Sequence, residues 1–209
     1  MVTQNPKAVS PSPEKFPSAA PVWRMGMVLI VCVALFAGCS GGDPLDPQLE
    51  EALGKLESTS DTVRLAGLTT LSEMGNKPKP HADKVAAVLK DTSPEVRSLA
   101  ALLLGIWGHS SPEVVQELST MAAGDEDAVA RSSALGALAI LGAQEEFLKA
   151  SREILAGDDV YLKREAIYAI GQSSKESVTA MKAELEAIAG GSDEDLASVA
   201  KSALKTLEE

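Results

Sequence analysis

The sequence is poor in aromatic residues, in cysteine and in basic charge, and each scarcity narrows what the protein can be. Aromatic residues make up 3% of the 209 residues, while Ala and Leu dominate the apolar content, which favours closely packed helices over sheets. Three of the 19 basic residues and one of the 30 acidic residues precede Cys39, so the rest of the chain carries 16 basic and 29 acidic residues. A nucleic-acid partner is therefore not expected, because binding to phosphates requires a surplus of Lys and Arg on one face.

The sequence also lacks the motifs of common catalytic and metal sites. It contains no glycine-rich phosphate loop, no cluster of thiols and no recognisable nucleophile motif. The two histidines, His81 and His109, have no obvious third ligand. The acidic turn at residues 124–127 lacks the alternating ligand spacing of an EF-hand loop. We therefore expect no metal site, no cofactor and no enzymatic activity.

The amino-terminal part of the chain has the composition of a secretory signal. An uncharged apolar run, MGMVLIVCVALF at residues 25–36, follows Arg24 and precedes AGCSGG. This run is shorter than the roughly 20 residues of a membrane span, but it suits the apolar core of a signal peptide. The segment FAGC at residues 36–39 resembles the lipobox of bacterial lipoproteins. The resemblance implies that residues 1–38, a disordered leader followed by a signal helix, are removed and that Cys39 carries the lipid.

Two features depart from the pattern of a lipoprotein signal. Phe36 stands where Leu is usual, and the polar stretch at residues 1–22 is longer than the polar segment that precedes the apolar core in most signal peptides. An uncleaved signal anchor, or an ordinary cleavable signal with an incidental cysteine, therefore remain alternatives. No cysteine follows Cys39, so the mature chain would have one thiol without a disulfide partner. Residues 39–45 would be the lipidated cysteine and a flexible tether, which places the protein on the extracytoplasmic face of a bacterial cell envelope.

A 13-residue pattern recurs through the rest of the chain. It reads VRLAGLTTLSEMG at residues 63–75 and returns at residues 96–108, 130–142, 162–174 and 196–208. The anchors at its second position are separated by 33, 34, 32 and 34 residues, and they are Arg64, Arg97, Arg131, Lys163 and Ala197. Such a period is typical of a solenoid. The most apolar segment after the leader, residues 94–108, is therefore expected to be one repeat helix rather than a membrane span.

Each copy of the pattern predicts the second helix of a two-helix unit. Small residues three positions after the anchor and large apolar residues seven positions after it fall on one side of this helix. Another apolar spacing precedes each copy, and the intervening turns are rich in capping residues and acids. One such unit cannot bury its own apolar side, so the units must stack. We predict an all-α solenoid over residues 46–209, with hairpins at about 46–75, 80–108, 112–142, 144–174 and 177–209.

The pattern resembles the HEAT repeat, particularly the short HEAT-like form also found in phycobilisome lyase subunits. The resemblance implies a right-handed α–α superhelix, and it covers essentially all of residues 46–209. In that family the basic anchor commonly pairs with an acid in the preceding turn, which joins the units in a ladder. The resemblance therefore implies a structural role for the four basic anchors, whereas Ala197 breaks the column.

The opposite side of the second helices varies from repeat to repeat, and in HEAT-like arrays it usually lines the concave groove. The second repeat contributes Leu99, Leu102 and Ile106 there, and the fourth contributes Tyr168. An exposed apolar patch usually marks a contact surface, so these four residues are the candidate partner-binding site. The alternative is that the loop at residues 76–81 or an adjacent unit covers the patch.

These expectations combine into one functional hypothesis. The protein would be a membrane-anchored, extracytoplasmic lipoprotein that acts as a non-catalytic scaffold or adaptor, binding another protein through its groove and the membrane through the lipid on Cys39. The family resemblance also implies an alternative, a lyase-like protein that handles a chromophore or another ligand. A purely structural envelope component that self-associates is the third possibility.

Overall fold

The computed structural model describes residues 46–208, which form two layers of helices. Within these residues there are eleven α-helices, two 3-10 segments and no strand. The α-helices are α1 (Pro47–Lys55), α2 (Asp61–Glu73), α3 (Ala82–Ala86), α4 (Pro94–Trp107), α5 (Pro112–Gly124), α6 (Ala128–Leu141), α7 (Gln144–Ala156), α8 (Val160–Gln172), α9 (Lys175–Ala180), α10 (Lys182–Ala189) and α11 (Glu194–Lys205). The 3-10 segments Lys79–His81 and Ala87–Lys90 flank α3.

The helices pair into five hairpins, which confirms the predicted all-α solenoid. The second helices α2, α4, α6, α8 and α11 contact one another in that order and form a continuous row. The first helices are α1, α3 with its 3-10 segments, α5, α7, and α9 with α10. They form the other layer, in which α5 contacts α7 and α7 contacts α9.

Side-chain caps fix where the second helices begin. The Ser93 hydroxyl accepts a hydrogen bond from the backbone N–H of Val96, and Asp127 Oδ1 accepts 2.9 Å bonds from two backbone N–H groups of α6. Asp159 and Asp193 cap α8 and α11 in the same way. These oxygens satisfy N–H groups that have no partner within the helix. Side-chain caps thus define the start of four second helices, whereas Ser60, before α2, makes no such bond.

The core lies between the two layers and follows the predicted columns. The small residues three positions after the anchors and the large residues seven positions after them are buried, except in the last repeat, where Leu204 is half-buried. The buried members are Gly67, Ala100, Ala134, Ala166 and Ala200 in the first column and Leu71, Leu104, Leu138 and Ile170 in the second. Stacking of the units therefore supplies the apolar burial that a single hairpin lacks.

Small residues also allow adjacent second helices to approach closely. A Cβ at Gly105 would lie 3.0 Å from the Cα of Ala137 in α6. A Cβ at Gly171 would likewise lie 3.2 Å from the Cα of Ala203 in α11. Both glycines lie eight positions after their anchors, and both alanines lie six positions after theirs. The close α4–α6 and α8–α11 packing thus depends on the absence of a side chain at these two positions.

Two first helices are interrupted. In the second hairpin a five-residue α3 lies between 3-10 turns, and in the fifth hairpin the chain breaks at Met181, between α9 and α10. The apolar segment that raised the question of a membrane span is α4, a 14-residue helix that packs against α2 and α6. Among residues 46–208, no helix combines the length and apolar content that crossing a membrane requires.

Candidate partner-binding face

The basic anchors of the first three repeats join successive hairpins. Arg64 Nε and Nη2 donate to the two carboxylate oxygens of Asp91, at 2.5 and 2.6 Å, and Arg97 binds Asp125 in the same two-pronged way at 2.7 and 2.6 Å. These four side chains are almost fully buried. The third rung is weaker, with a single 3.3 Å bond from Arg131 Nη2 to the half-exposed Asp159. The anchors thus have the structural role that the family resemblance implied.

The origin of the carboxylates differs from the expectation. The turn preceding each arginine supplies a backbone carbonyl, from Ser58, Asp91 and Asp125 respectively, at 2.7–2.8 Å from the arginine Nη1. The carboxylate belongs to the turn of the following hairpin, because the guanidinium lies between the two turns and spans both. Asp91 and Asp125 therefore accept from one arginine through the side chain and from the next through the backbone. The result is a continuous chain of bonds across the first four hairpins.

The ladder ends where its acids end. Asp91 and Asp125 both lie six positions before an anchor, and Gly157 and Gly191 occupy this position in the last two repeats. Asp159, the cap of α8, replaces the missing acid only partly. Lys163 was also expected to form a rung, but it makes no ion pair within residues 46–208. This expectation was therefore wrong, because the chain has a glycine where its acid would stand.

The buried acids of the ladder remain ionised more readily than free aspartate. Burial alone would raise the pKa of Asp91 and Asp125. The hydrogen bonds from the guanidinium groups and from the backbone N–H of Ser93 and Asp127 outweigh this effect, so the pKa of each carboxyl lies below its ordinary value. The ladder is consequently a structural element that acid should weaken.

The exposed large apolar side chains are confined to one layer of the fold. All eight that occur within residues 46–208 lie on second helices, and they are Val63, Leu102, Ile106, Val129, Ile140, Val160, Tyr161 and Tyr168. In the described part of the chain, the first helices expose none. We call the exposed side of α4, α6 and α8 the second-helix face. It carries Leu102 at 43% exposure, Val129 at 53%, Ile106 at 57%, Ile140 at 59% and Tyr168 at 60%.

Two clefts run between neighbouring second helices on this face. The α4–α6 cleft has a volume of about 370 Å³, and its apolar lining includes Leu99, Leu102 and Val129. The α6–α8 cleft has a volume of about 300 Å³, and Ile140 and Tyr168 contribute to its lining. The two clefts thus lie one hairpin apart and at different heights along the helices, and in each of them exposed apolar side chains come from both of the helices that form the cleft.

The structure separates the four predicted site residues. Leu99, which is half-buried, and Leu102 share the α4–α6 cleft, and Tyr168 lies in the next cleft along the row. Ile106 is exposed further along α4 and lines neither cleft. Within residues 46–208, neither the loop at 76–81 nor an adjacent hairpin buries Leu102 or Ile106. Their role in partner binding stays a prediction, and the predicted lipidation site, Cys39, lies outside the described residues.

Val129 is part of the cleft but was not predicted from the sequence. It lies two positions before its anchor, in the first turn of α6. The corresponding positions in three other repeats hold polar residues, which are Thr62, Glu95 and Asp195. An apolar residue at a position that is polar in three other repeats is the feature of the sequence that could have identified Val129 as part of the face. The signal is weak because the first turn of a helix is usually dominated by capping residues and acids.

Acids without an ion pair border the α4–α6 cleft, at the amino-terminal ends of the second helices. Glu95 and Asp127 line the α4–α6 cleft, and Asp61 occupies the first turn of α2. The Ser93 hydroxyl donates to Glu95 at 2.7 Å and lowers the pKa of that carboxyl, while the negative charges of Asp127 and Asp61 act in the opposite direction. Among the described residues these three acids form no ion pair. The face thus has an apolar middle and a negative edge.

Neither histidine belongs to a group of three or more potential metal ligands in the described part of the chain. His109 Nε2 lies 3.0 Å from Asp83 Oδ1. No group of three or more metal-ligating side chains occurs within residues 46–208. Trp107, the other notable side chain at this end of α4, is 1% exposed and donates through Nε1 to the Gly75 carbonyl at 2.8 Å. Its role is packing between the first two hairpins.

Two solved structures to which the chain is similar are those of an engineered protein and of a designed armadillo repeat protein. The engineered protein is 14% identical over 77% of this chain and 98% of that chain, with a TM-score of 0.39. The designed armadillo repeat protein is 15% identical over 76% of this chain and 99% of that chain, with a TM-score of 0.33. No curated protein matches the sequence.

The protein-family comparison agrees with the repeat architecture. The model described as HEAT repeats matches residues 47–139 and residues 82–171. These overlapping matches cover more than half of the chain, and they extend from the first hairpin almost to the end of the fourth, which includes the arginine ladder. The chain therefore belongs to the HEAT-repeat family.

Proposed function

We propose that the protein is a lipid-anchored adaptor in a bacterial cell envelope, and that it binds another protein through the second-helix face. One observation supports this function most directly: the exposed large apolar side chains of residues 46–208 all lie on second helices. Exposed apolar side chains that are confined to one layer of a fold are typical of a contact site, because exposed apolar area without a partner favours aggregation. The HEAT-repeat fold is consistent with a scaffold, since stacked hairpins present an extended, preformed surface.

The proposed anchor depends on the amino-terminal sequence. The apolar run at residues 25–36 is followed at once by small residues and by Cys39, the last cysteine of the chain. A single acyl chain binds a bilayer weakly, whereas the two or three chains of a mature bacterial lipoprotein hold it firmly. Few residues separate Cys39 from the start of α1 at Pro47, so the adaptor would work close to the membrane surface.

Partner binding is tested by comparing two charge insertions at exposed helical positions. Leu102→Glu places a carboxylate on the second-helix face, and Ala123→Glu places one on the exposed side of the first helix α5. Each full-length variant is expressed in the native host, crosslinked in intact cells and purified with its bound proteins. We expect Leu102→Glu to lose partners that the wild type and Ala123→Glu retain. Equal recovery of every partner by all three proteins would disprove binding through this face.

The anchor is tested separately by mass spectrometry of the amino-terminal peptide. We expect the mature chain to begin at a Cys39 that carries diacylglyceryl and an additional acyl group, and to fractionate with membranes. Cys39→Ser should abolish both the added mass and the membrane fractionation. A mature chain that begins elsewhere, or an unmodified Cys39, would contradict the anchor and leave the binding face untouched.

A further inference from the structure

The clefts and the acids beside them define what kind of partner the second-helix face fits. The α4–α6 cleft places Leu99, Leu102 and Val129 next to the carboxylates of Glu95 and Asp127. The acids of this row lie at the amino-terminal ends of their helices, where they complement the helix dipole. The carboxyl-terminal ends of α4 and α6 carry no acidic residue, and the left-handed Gly108 and Gly142 end them. The face is therefore negative at the amino-terminal edge of the α4–α6 cleft, whereas the acid that lines the α6–α8 cleft, Glu165, is paired with Arg164.

The acids of the negative edge have no ion-pair partner in the described part of the chain, and the guanidinium groups that attract Asp61 and Asp127, those of Arg64 and Arg97, are already bonded to Asp91 and Asp125. Asp61, Glu95 and Asp127 form no ion pair within residues 46–208, and Asp127 and Asp61 lie close enough to Glu95 to disfavour its ionisation. By contrast, Asp91 and Asp125, only two residues before the second-helix caps, are neutralised by the arginine ladder. Cations from a partner would relieve this repulsion and would be attracted from a distance. An anionic lipid surface would be repelled, which disfavours the membrane itself as the occupant.

The spacing of the clefts indicates the partner's secondary structure. Packed helices lie about 8–10 Å apart, so the two clefts are displaced across the row by about that distance. They are also displaced along the helices, because the α4–α6 cleft is lined from the amino-terminal halves of α4 and α6, and the α6–α8 cleft mainly from the carboxyl-terminal halves of α6 and α8. On an α-helix, residues seven positions apart are about 10.5 Å apart along the axis and lie on the same side. A partner helix that crosses the row obliquely can therefore place apolar side chains about two to three turns apart in the two clefts. An extended segment has the same reach, but its backbone N–H and C=O groups would face helices whose own backbone groups are already paired.

We propose that the second-helix face binds a basic amphipathic helix of a partner protein, with apolar side chains in the α4–α6 and α6–α8 clefts and Lys or Arg along the edge formed by Asp61, Glu95 and Asp127. The inference rests on the proposed adaptor function and adds the chemistry of its partner. The two arms of the partner's recognition are separable, because the apolar side chains and the carboxylates that line the α4–α6 cleft belong to different residues and can be changed independently.

The test uses the purified full-length protein in detergent and three synthetic peptides of about 18 residues, long enough to cross both clefts. The first is an amphipathic helix of Leu, Ala and Lys, the second carries Glu in place of each Lys, and the third is a scrambled version of the first. Binding is measured by fluorescence anisotropy at low and high salt. We expect binding of the first peptide only, with a dissociation constant that rises with salt.

Two sets of variants separate charge from apolar contact. Asp61→Asn, Glu95→Gln and Asp127→Asn together remove the negative edge while Asn still caps α6, and we expect binding to weaken about tenfold at low salt. Glu50→Gln, Glu113→Gln and Glu145→Gln remove the same charge from exposed positions on first helices, and this control should bind like the wild type. Leu102→Ser should weaken binding about tenfold at any salt concentration.

The possible outcomes distinguish the chemistry of the partner from the adaptor function and from self-association. If the Glu peptide or the scrambled peptide binds as tightly as the Lys helix, or if the two charge variants behave alike, the basic-helix partner is wrong although the face can still bind protein. If Leu102→Ser binds the Lys helix like the wild type, and Leu102→Glu also retains every cellular partner, the adaptor function itself fails. A wild-type dimer that Leu102→Ser dissociates would place a second copy of the chain on the face and overturn the proposal.

Discussion

Arg97 in α4 is bonded to Asp125, in the turn before α6, through two parallel hydrogen bonds, from Nε at 2.7 Å and from Nη2 at 2.6 Å. The same guanidinium donates through Nη1 to the Asp91 carbonyl at 2.7 Å. One side chain therefore ties the turn of its own hairpin to the turn of the next. Repeats of this kind are stable only through their neighbours, so such contacts between hairpins determine whether the array folds cooperatively.

The arginine rungs should contribute unequally to stability. Replacing Arg97 by Met leaves the buried carboxylate of Asp125 without its cation, which we expect to lower the free energy of unfolding by about 2 kcal/mol. Arg131→Met breaks one longer bond to a half-exposed Asp159 together with the bond to the Asp125 carbonyl, and should cost less, about 1 kcal/mol. Urea denaturation followed by circular dichroism measures both. Equal losses for the two variants would show that the geometry of the rungs does not determine their contribution.

The ladder should also make the protein sensitive to acid. The pKa values of Asp91 and Asp125 are lower in the folded chain than the ordinary value of about 3.8, so the folded state holds fewer protons than the unfolded state as the pH falls. The stability that these groups provide is therefore complete well above pH 3.8 and is lost as the pH drops through their lower folded values.

Denaturation at a series of pH values from neutral to acid tests this dependence. The double variant Asp91→Asn with Asp125→Asn keeps oxygens that accept from the backbone N–H groups of Ser93 and Asp127. We expect it to be less stable than the wild type at neutral pH and to lose less stability on acidification. If the free energy of unfolding of the double variant fell with pH as steeply as that of the wild type, other carboxylates would be the cause of the acid sensitivity.

The sequence predicted the fold well because the repeat determines it. Five copies of one apolar pattern require five stacked hairpins, and the buried columns at Ala100 and Leu104 are where the pattern put them. The ladder was harder to predict because its acids lie outside the aligned pattern, in turns where acids have an ordinary role as caps. Asp91 and Asp125 could have been found by aligning the turns, since they share a position six residues before the anchor.

The binding face was predictable in part. The pattern identified the exposed side of the second helices, because positions two, five and nine after the anchor point away from the buried columns. It did not show which of those residues share a cleft, since that depends on how closely adjacent second helices approach. Ile140 and Val129 belong to the clefts through contacts between repeats. No spacing within one repeat reports such contacts.

The close approach of α4 and α6 at Gly105 should not tolerate a side chain. Gly105→Val forces its added atoms against the backbone of Ala137, and we expect a loss of about 1–3 kcal/mol in the free energy of unfolding. Gly136 lies in the middle of α6, where an added Cβ meets nothing within 4 Å. Gly136→Val is therefore the matched control and should change stability by no more than about 0.5 kcal/mol. Similar effects of the two substitutions would show that backbone conformation, not helix packing, explains the glycine at 105.

Trp107 should hold the loop after α2 against the second hairpin. Its Nε1 donates to the carbonyl of Gly75, a residue in the left-handed region at φ 64°, and its ring is 1% exposed. Trp107→Phe keeps an aromatic ring but removes the donor and part of the volume, so we expect a loss of about 1–2 kcal/mol. Hydrogen exchange followed by mass spectrometry should show faster exchange in residues 75–81 than in the wild type, while α8 and α11 keep their protection. Faster exchange throughout the array would instead mean that Trp107 supports the whole core, and unchanged exchange in the loop would show that the hydrogen bond to Gly75 does not restrain it.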